Sequence, residues 1–556
     1  MRKKDGKPWR DAKFFIEDSN WLAGEGVLWK PGGRRRRARS AVTMLVAVAL
    51  IPLASGEVAL PPPAVITVNA AHSMGIIPAT AFGLNTEVWD KDLTSPAIPA
   101  LLRRIGVGVL RYPGGSIADQ YDWANNRLVP GQSGYVDPRN TFARFMQLVR
   151  QVGATALITV NYGSNFSGTG GGEPQEAAAW VRDADVTHHD QVRYWEIGNE
   201  VYGNGTYGVT WELDLHRHKG PAVYAENARR YIAAMKQADP HIQVGVVLTL
   251  PENWPWGLAP HWNRTVLRIV GRRVNFVAVH WYPQNPGHTS NAGLLASTRR
   301  IPAMMAILRR EIEQGTGDRA AHIEVFVDET NSVSSDPGAQ TTSIVNALFL
   351  DNDFMSWLEY GAANVSWWDL HNGANVSQDT KGGHRSEYGD YGLLSNGSRV
   401  QNVQEPPAET PFPTYYAYQM LRILARPGDT MIQAHSSQPL VDVYAVHQSN
   451  GDLGVMLVNT AASQAYRIRL HLSAYQAAKV VHGHRYDAHT HRVRTQRVAL
   501  NSPITIPPYS VTVFILHPNN PPKHERETRF EPLSCRIAAR RRSMMRRSLG
   551  DHVERL

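Results

Sequence analysis

The chain contains the run Val192-Arg193-Tyr194-Trp195-Glu196-Ile197-Gly198-Asn199-Glu200, a short β-rich segment with two polar residues at its end. Seven similar runs lie before or after it, and amphipathic stretches with apolar residues near the 3.6-residue period separate them. The eight runs cover residues 81–87, 107–112, 156–162, 192–200, 242–247, 275–282, 323–329 and 363–369. Eight such units predict a (β/α)8 TIM barrel, and a doubly wound open sheet is the alternative.

The sequence pattern changes after about Thr414. A helix is predicted at Tyr415–Leu424, and short alternating segments follow it, separated by turn signals such as Ser449-Asn450-Gly451. This pattern predicts a C-terminal antiparallel β-sandwich, to which Ala64–Asn69 could add a strand. The predicted domains are a basic N-terminal extension with a signal or anchor at 1–60, a catalytic barrel at 64–410, the β-sandwich at 411–516 and a disordered basic tail at 517–556.

Composition excludes several classes of protein. The 556 residues include one Cys, so an internal disulfide framework is excluded, and 15 Trp with 21 Tyr argue against global disorder. The formal charge of +9 divides into +7 in residues 1–39, +5 in residues 517–556 and −3 in the remainder. The folded body is therefore near neutral, and we expect no nucleic-acid partner.

The N-terminal region has the order of a secretory signal. A basic run at Arg34–Arg39 precedes the apolar run Ala41–Ala54, which is too short for a comfortable membrane span. We therefore expect a secreted or cell-envelope protein. An uncleaved anchor is the alternative, and contact with a membrane is expected only in that case.

Polar residues at the ends of the predicted strands point to the chemistry. In a (β/α)8 barrel the carboxyl ends of the strands form one rim, where catalytic groups lie. The fourth predicted strand ends in Glu200 and the seventh in Glu329, so we expect the two carboxylates to face each other across the barrel mouth. Two opposed carboxylates are the minimum equipment for cleaving a glycosidic bond. Either residue taken alone has the alternative role of a helix cap or a salt-bridged loop residue.

Several motifs carry a resemblance to a known family. Residues 195–200 resemble the Asn-Glu signature of the clan A retaining glycoside hydrolases. Residues 110–115, followed by Tyr121-Asp122-Trp123, are similar to the α-L-arabinofuranosidases of glycoside hydrolase family 51. Residues 82–87, 280–282 and 327–331 match the same family. The resemblance covers about residues 64–516 and implies a carbohydrate substrate.

The resemblance also implies roles for individual residues. Glu200 is the general acid/base and Glu329 is the nucleophile. Arg111 keeps Glu329 ionised, and burial keeps Glu200 protonated before attack. Asn199 binds the sugar 2-hydroxyl. The implied substrate-binding residues are Glu87, Arg111, Asn199, His280, Trp281, Tyr282 and Trp368. For the tryptophans, packing at the barrel rim is the alternative. No cofactor or metal is expected, because His188-His189 and His216–His218 lack the spacing of metal ligands.

Two positions depart from the family pattern: Ser116 stands where Asn is common, and Thr330 where Trp is usual. The hypothesis is an exported, retaining exo-acting α-L-arabinofuranosidase that acts on plant-type polysaccharides or oligosaccharides. Alternatives are a β-xylosidase, a β-glucuronidase, an endo-glucanase-like enzyme, a catalytically silent carbohydrate-binding protein or a metal-dependent barrel enzyme. The sequence does not predict an oligomeric state.

Overall fold

The computed structural model describes residues 63–519, except residues 254, 260 and 377–387. The predicted signal segment and almost all of the predicted basic tail therefore lie outside the described residues. Strands are numbered β1–β21 and helices α1–α9 along the chain. None of the helices in the described part is long and apolar enough to cross a membrane.

Eight strands, paired in parallel, form a closed barrel in the order β10-β11-β2-β3-β6-β7-β8-β9. The strands are β2 (Phe82–Asn85), β3 (Val109–Tyr112), β6 (Thr155–Val160), β7 (Tyr194–Ile197), β8 (Gln243–Val247), β9 (Phe276–Trp281), β10 (Glu324–Thr330) and β11 (Asn364–Trp367). Each coincides with one of the eight predicted runs, except that β6 begins one residue before its run and β10 ends one residue after its run. The predicted TIM barrel is thereby confirmed.

Helices surround the barrel and follow its strands. They are α1 (Ile98–Ile105), α2 (Phe142–Val152), α3 (Pro174–Val181), α4 (Pro221–Ala238), α5 (Trp262–Val270), α6 (Asn291–Ser297), α7 (Ile301–Thr316) and α8 (Ile344–Glu359). Most are amphipathic: α5 buries Trp262, Val266, Leu267 and Val270, the spacing of one helical face. In α8, every residue from Val345 to Leu358 is buried, because a second domain covers the side that faces away from the barrel.

That second domain contains helix α9 (Pro413–Leu424) and a nine-stranded sheet of order β19-β18-β21-β16-β15-β14-β1-β17-β20. Its strands are β1 (Ala64–Ile76), β14 (Thr430–Ser436), β15 (Val441–His447), β16 (Leu453–Asn459), β17 (Tyr466–Ser473), β18 (Val480–Asp487), β19 (Arg494–Ala499), β20 (Ile504–Ile506) and β21 (Ser510–Leu516). The pairing is antiparallel except between β1 and β17. The predicted C-terminal antiparallel β-domain is confirmed, and its layers belong to one continuous hydrogen-bonded sheet.

Strand β1 precedes the barrel in the chain but pairs with β14 and β17. The strand suggested for Ala64–Asn69 therefore exists and extends to Ile76. The range 64–410 that was assigned to the barrel thus begins with a strand of the other domain. The boundary placed between residues 410 and 411 remains a prediction.

Four short strands complete the described part: β4 (Tyr121–Asp122) pairs with β5 (Arg127–Leu128), and β12 (Arg399–Val400) pairs with β13 (Val403–Gln404). Hydrogen bonds join α8 to the second domain. The Tyr444 and Ser356 hydroxyls lie 2.9 Å apart, and the Asn352 amide donates to Asp442 over 2.8 Å. These contacts hold the second domain against helix α8 on the outside of the barrel.

Candidate active site

A tight turn after β7 positions Glu200. Gly198 has a φ of 73°, and a Cβ at that position would lie 2.7 Å from a Val201 methyl and 2.8 Å from the Tyr162 Cβ. Glu200 itself has a left-handed backbone, with φ 38° and ψ 37°. A non-glycine residue in this region is strained, and surrounding contacts must hold it there.

Asp119 supplies part of that support. It lies on a 3-10 helix (Gly115–Gln120) after β3, and its carboxylate accepts hydrogen bonds from the backbone N–H groups of Tyr162, Gly163 and Asn199 over 2.9–3.0 Å. Burial raises the pKa of Asp119 to about 7, although these three donors act in the opposite direction. One side chain thus ties together the ends of β6 and β7.

An irregularity in β10 positions Glu329. Val327 pairs with Val279 of β9, whereas Glu329 pairs with His280, the next residue of that strand. Asp328 is therefore an extra residue, as in a β-bulge. Consecutive side chains of a regular strand point to opposite faces, but here Asp328 and Glu329 both reach the guanidinium of Arg111. The irregularity gives the site two carboxylates from adjacent positions.

Arg111, at the end of β3, is the centre of the cluster. Its guanidinium donates to Glu329 Oε1 over 2.7 Å, to Asn199 Oδ1 over 2.8 Å and to Glu196 Oε2 over 3.0 Å. The side chain is 1% exposed. Burial alone would lower the pKa of Arg111, but the carboxylates of Glu196, Asp328 and Glu329 raise it above its ordinary value. Arg111 is therefore a permanent positive charge among acidic groups.

His280 connects the two carboxylates that face each other. Its Nδ1 lies 3.0 Å from Glu200 Oε1 and 3.4 Å from Glu329 Oε2. The two distances added together set an upper limit of about 6.4 Å on the separation of these oxygens. The structure thus brings together the two glutamates that the sequence singled out.

The charges around His280 determine its protonation. Burial lowers the pKa of its imidazole, but Glu329, Glu200 and Asp328 outweigh this effect and raise it to about 9. The imidazole is therefore positively charged at neutral pH. It donates through Nδ1 to Glu200, and its Nε2 lies 3.5 Å from Asp328 Oδ1.

The environment of Glu200 differs from the expectation that burial keeps it protonated. Burial does raise its pKa, but hydrogen bonds from His280, Trp211 and Tyr202, together with the charge of His280, lower it below the usual value. The Trp211 indole donates to Oε2 over 2.5 Å, and the Tyr202 hydroxyl donates to Oε1 over 3.0 Å. In the free protein these donors favour the ionised form of Glu200.

Four other predicted substrate-binding residues lie in or beside the cluster. The Tyr282 hydroxyl donates to Glu329 Oε2 over 2.8 Å. Asn199 accepts from Arg111, as described above. Trp368 lies at the rim, half-buried, with its ring 6.4 Å from that of Trp89. Glu87 is fully buried, and within the described part of the chain neither of its oxygens has a hydrogen-bond partner. Burial raises the pKa of Glu87 well above its usual value.

The structure contradicts the prediction for Trp281. Its side chain is fully buried and points away from the cluster, where its ring lies 5.7 Å from that of Phe349 and 5.4 Å from that of Trp357, both on α8. Trp281 follows His280 in β9, so the alternation of a strand directs the two side chains to opposite sides of the barrel wall. Its role is packing between barrel and helix.

Sequence reasoning missed six residues of the cluster: Asp119, Glu196, Tyr202, Trp211, Glu212 and Asp328. Glu196 and Asp328 lie in predicted strands, where a buried charge was itself a signal. Thr159 donates to Glu196 over 2.8 Å, which helps to orient it. The loop after β7 carries Tyr202, Trp211 and Glu212, and no periodicity in a loop shows which of its side chains turn inward.

One group of potential metal donors exists among the described residues. Ligand atoms of Glu196, His280 and Asp328 lie within 4.8 Å of one another. Arg111 already contacts both carboxylates, at 2.9 Å from Glu196 and 3.5 Å from Asp328. The negative charge of this group is thus balanced by side chains of the cluster itself.

The sequence was compared with those of known proteins. No family model matches the chain. An intracellular exo-α-(1→5)-L-arabinofuranosidase of Acetivibrio thermocellus is 23% identical over 222 residues, which span 35% of this chain and 40% of that relative. An intracellular exo-α-L-arabinofuranosidase of Bacteroides ovatus is 22% identical over 433 residues, which span 68% of this chain and 75% of that relative. The chain thus spans less than half the length of the first of these relatives.

Solved structures show the same architecture. The family 51 α-L-arabinofuranosidase of Thermotoga petrophila superposes with a TM-score of 0.62 at 16% identity, covering 81% of this chain and 99% of that one. The chain is similar to arabinofuranosidases of glycoside hydrolase family 51. A family 44 xyloglucanase of Paenibacillus polymyxa shares the fold almost as well, with a TM-score of 0.59 at 13% identity over 82% of this chain and 99% of that one. The resemblance to family 51 is confirmed, whereas the fold is common to enzymes with different substrates.

Proposed function

We propose that this protein is a retaining glycoside hydrolase that removes α-L-arabinofuranosyl residues from the ends of carbohydrate chains. The observation that carries the proposal is the pair Glu200 and Glu329, whose nearest oxygens are at most about 6.4 Å apart. Carboxyl groups of retaining glycosidases lie about 5–5.5 Å apart and those of inverting enzymes about 6.5–9.5 Å apart. The names of the relatives favour arabinofuranose and exo action.

The reaction follows from the two carboxylates. Glu329 attacks the anomeric carbon while Glu200 gives a proton to the glycosidic oxygen, so the bond to the leaving group breaks and a glycosyl ester forms. Glu200, now ionised, takes a proton from water, whose oxygen attacks the anomeric carbon and releases Glu329. Two inversions at one carbon retain its configuration.

The surroundings of each carboxylate support the two proposed roles. Arg111 and Tyr282 both donate to Glu329, which stabilises the anion that a nucleophile requires. In the free protein the donors to Glu200 lower its pKa. Glu200 must therefore take up a proton when the substrate binds, and the negative charge of Glu329 opposes its ionised form at that stage. Ester formation removes that charge, after which the donors from His280, Trp211 and Tyr202 favour Glu200 as a base.

The two departures from the family pattern are compatible with catalysis. Thr330 does not face the carboxylates: its hydroxyl donates to Asp353 of α8 over 2.9 Å. Ser116 lies beside the site and donates to Glu212 over 2.5 Å. Neither side chain interrupts the contacts of Glu200 or Glu329, which argues against a catalytically silent carbohydrate-binding protein.

A second candidate is another clan A glycosidase. The observation in its favour is the fold shared with the family 44 xyloglucanase. Substrate choice depends on side chains around the sugar rather than on the barrel. Aryl furanosides and aryl pyranosides assayed side by side distinguish the two candidates.

The decisive experiment is hydrolysis of 4-nitrophenyl α-L-arabinofuranoside by the full chain. We expect turnover, with the anomeric configuration of the first-formed product retained, as followed by NMR. The control variant is Glu226→Gln on α4, where an exposed glutamate pairs with exposed Arg229 and contacts no residue of the carboxylate cluster in the described part of the chain. Inversion, or turnover of pyranosides alone, would overturn the proposal.

Export is a separate proposal. It rests on the basic run Arg34–Arg39 followed by the apolar run Ala41–Ala54. The word intracellular in the names of the relatives points in the other direction. Cell fractionation with N-terminal sequencing of the mature protein tests this proposal. A mature protein that is found in the cytoplasm and still contains residues 41–54 would contradict it.

A further inference from the structure

A further carboxyl group lies beside the pair and has no part in the mechanism above. Glu212 is on the loop after β7 and is 2% exposed. Its Oε1 accepts hydrogen bonds from the Ser116 hydroxyl over 2.5 Å and from the Asn199 amide over 2.9 Å. Its Oε2 is buried and has no hydrogen-bond partner among the described residues.

Contacts from two directions fix Glu212 in this place. Ser116 belongs to the 3-10 helix after β3, the strand that carries Arg111, while Asn199 lies at the end of β7. The preceding residue, Trp211, donates to Glu200 Oε2. In this loop, Trp211 therefore contacts Glu200 and the next residue, Glu212, accepts a hydrogen bond from Asn199. Glu212 is built into the site.

The unpartnered oxygen is costly as it stands. A polar atom taken out of water without a hydrogen bond destabilises the folded protein, so such atoms are rare and call for an explanation. Within the described residues, no Lys, Arg or His forms an ion pair with Glu212. Burial raises the pKa of Glu212 well above its usual value, and the charges of Asp119 and Glu200 raise it further. A ligand that hydrogen-bonds with a carboxyl group would remove this cost.

We propose that Glu212 is a specificity-determining residue whose Oε2 hydrogen-bonds a ring hydroxyl of the bound sugar. The inference rests on the proposed function and on the role that the family resemblance implies for Asn199, contact with the 2-hydroxyl. Glu212 is the hydrogen-bonded neighbour of Asn199, and the 3-hydroxyl is the neighbour of the 2-hydroxyl on the ring away from the anomeric carbon. We therefore assign the 3-hydroxyl to Glu212.

The test pairs changes in the protein with changes in the substrate. The kcat/KM of wild type, Glu212→Ala and Glu212→Gln is measured with an aryl α-L-arabinofuranoside and its 2-deoxy and 3-deoxy analogues. In wild type we expect kcat/KM for the 3-deoxy analogue to be about 10- to 100-fold lower than for the parent substrate, which is the usual effect of losing one such hydrogen bond. In Glu212→Ala the parent substrate should fall by a similar factor, and the ratio of parent to 3-deoxy substrate should approach one. The 2-deoxy penalty should persist in that variant.

The ratio separates recognition from a merely structural role, because a distorted site weakens both substrates equally. Glu212→Gln keeps the size and hydrogen bonding of the side chain and should retain most of the 3-deoxy discrimination. If Glu212→Ala keeps the wild-type ratio, the inference about Glu212 is wrong while the proposed function stands. If wild type hydrolyses no aryl glycoside, the proposed function fails first, and the inference fails with it.

Discussion

The ends of β7 and β10 each deliver one glutamate to the barrel mouth, but by different means. After β7 the chain makes a glycine-dependent turn, and Glu200 has a left-handed backbone. In β10 an extra residue lets Asp328 and Glu329 reach the same guanidinium. Glu200 faces Tyr202, Trp211 and a shared histidine, whereas Glu329 faces a permanent positive charge.

The difference shows how one residue type acquires two functions. A carboxylate that accepts hydrogen bonds from Arg111 and Tyr282 has donors for its negative charge and suits nucleophilic attack. A carboxylate held by a histidine and two neutral donors can gain and lose a proton as its neighbour changes charge. Five predictions test this distinction, beginning with the largest expected effect.

Removing the nucleophile should have the largest effect. In Glu329→Ala we expect turnover of 4-nitrophenyl α-L-arabinofuranoside to disappear, because no covalent intermediate can form. Azide should restore turnover by direct attack and give the glycosyl azide of inverted configuration, which NMR identifies. Wild-type turnover by this variant would exclude Glu329 as the nucleophile. A glycosyl azide of retained configuration would indicate that Glu329 is the acid/base instead.

Removing the acid/base should have a smaller effect that depends on the substrate. In Glu200→Ala we expect a loss of about 10²- to 10⁴-fold on natural linkages and less on aryl glycosides with good leaving groups, because these need little protonation. Azide should here yield the product of retained configuration. Equal losses on both types of substrate would count against Glu200 as the acid.

The shared histidine provides a measure of the two charges. In the free protein the His280 imidazole should titrate near pH 9, and Glu329→Gln should lower its pKa towards 6.5, because Glu329 is the largest of the charges that raise it. NMR of labelled histidine in both proteins measures this change. An unchanged pKa would show that Glu329 does not act on His280.

The same shift has a consequence for stability. A raised pKa in the folded state stabilises the protein fully below the unfolded value of 6.5, and this contribution is lost as the pH rises to about 9. The free energy of unfolding of the wild type should therefore fall between these pH values relative to His280→Asn. A difference that does not vary with pH would contradict the assignment.

The smallest effect concerns the turn after β7. A left-handed backbone alone costs an alanine about 1–2 kcal/mol. The new methyl group of Gly198→Ala would also be too close to Val201 and Tyr162, so the free energy of unfolding should fall by more than this amount. Activity should fall as well. The matched control is Gly451→Ala in the turn between β15 and β16, where φ is 90° and no atom lies within 4 Å of the added Cβ. Denaturant unfolding of both variants checks the prediction. Equal losses of stability would show that the contacts around Gly198 are unimportant.

Much of the site was predictable because its residues follow regular strands. Glu200, Glu329, Arg111 and His280 lie at the ends of apolar β-rich runs, and parallel strands of a barrel bring such ends to one rim. The prediction for Trp281 was wrong because it considered only the position of the residue near the end of β9. Side chains alternate along a strand, so the ring of Trp281 points towards α8 while His280 points into the site. The types of residue at a strand end do not show which of two adjacent side chains points into the barrel.

The sequence by itself determined the barrel, the C-terminal β-domain and the pair of glutamates, because hydrophobic periodicity fixes which segments become strands and which residues end them. Tertiary structure alone decided the contacts that tune the pair: the irregular β10, the turn at Gly198, and the approach of Trp211 and Glu212 from a loop. These depend on chain segments that are distant in sequence and meet only when the barrel closes. Protonation of each carboxylate is set by such neighbours, so it could not be inferred before the neighbours were known.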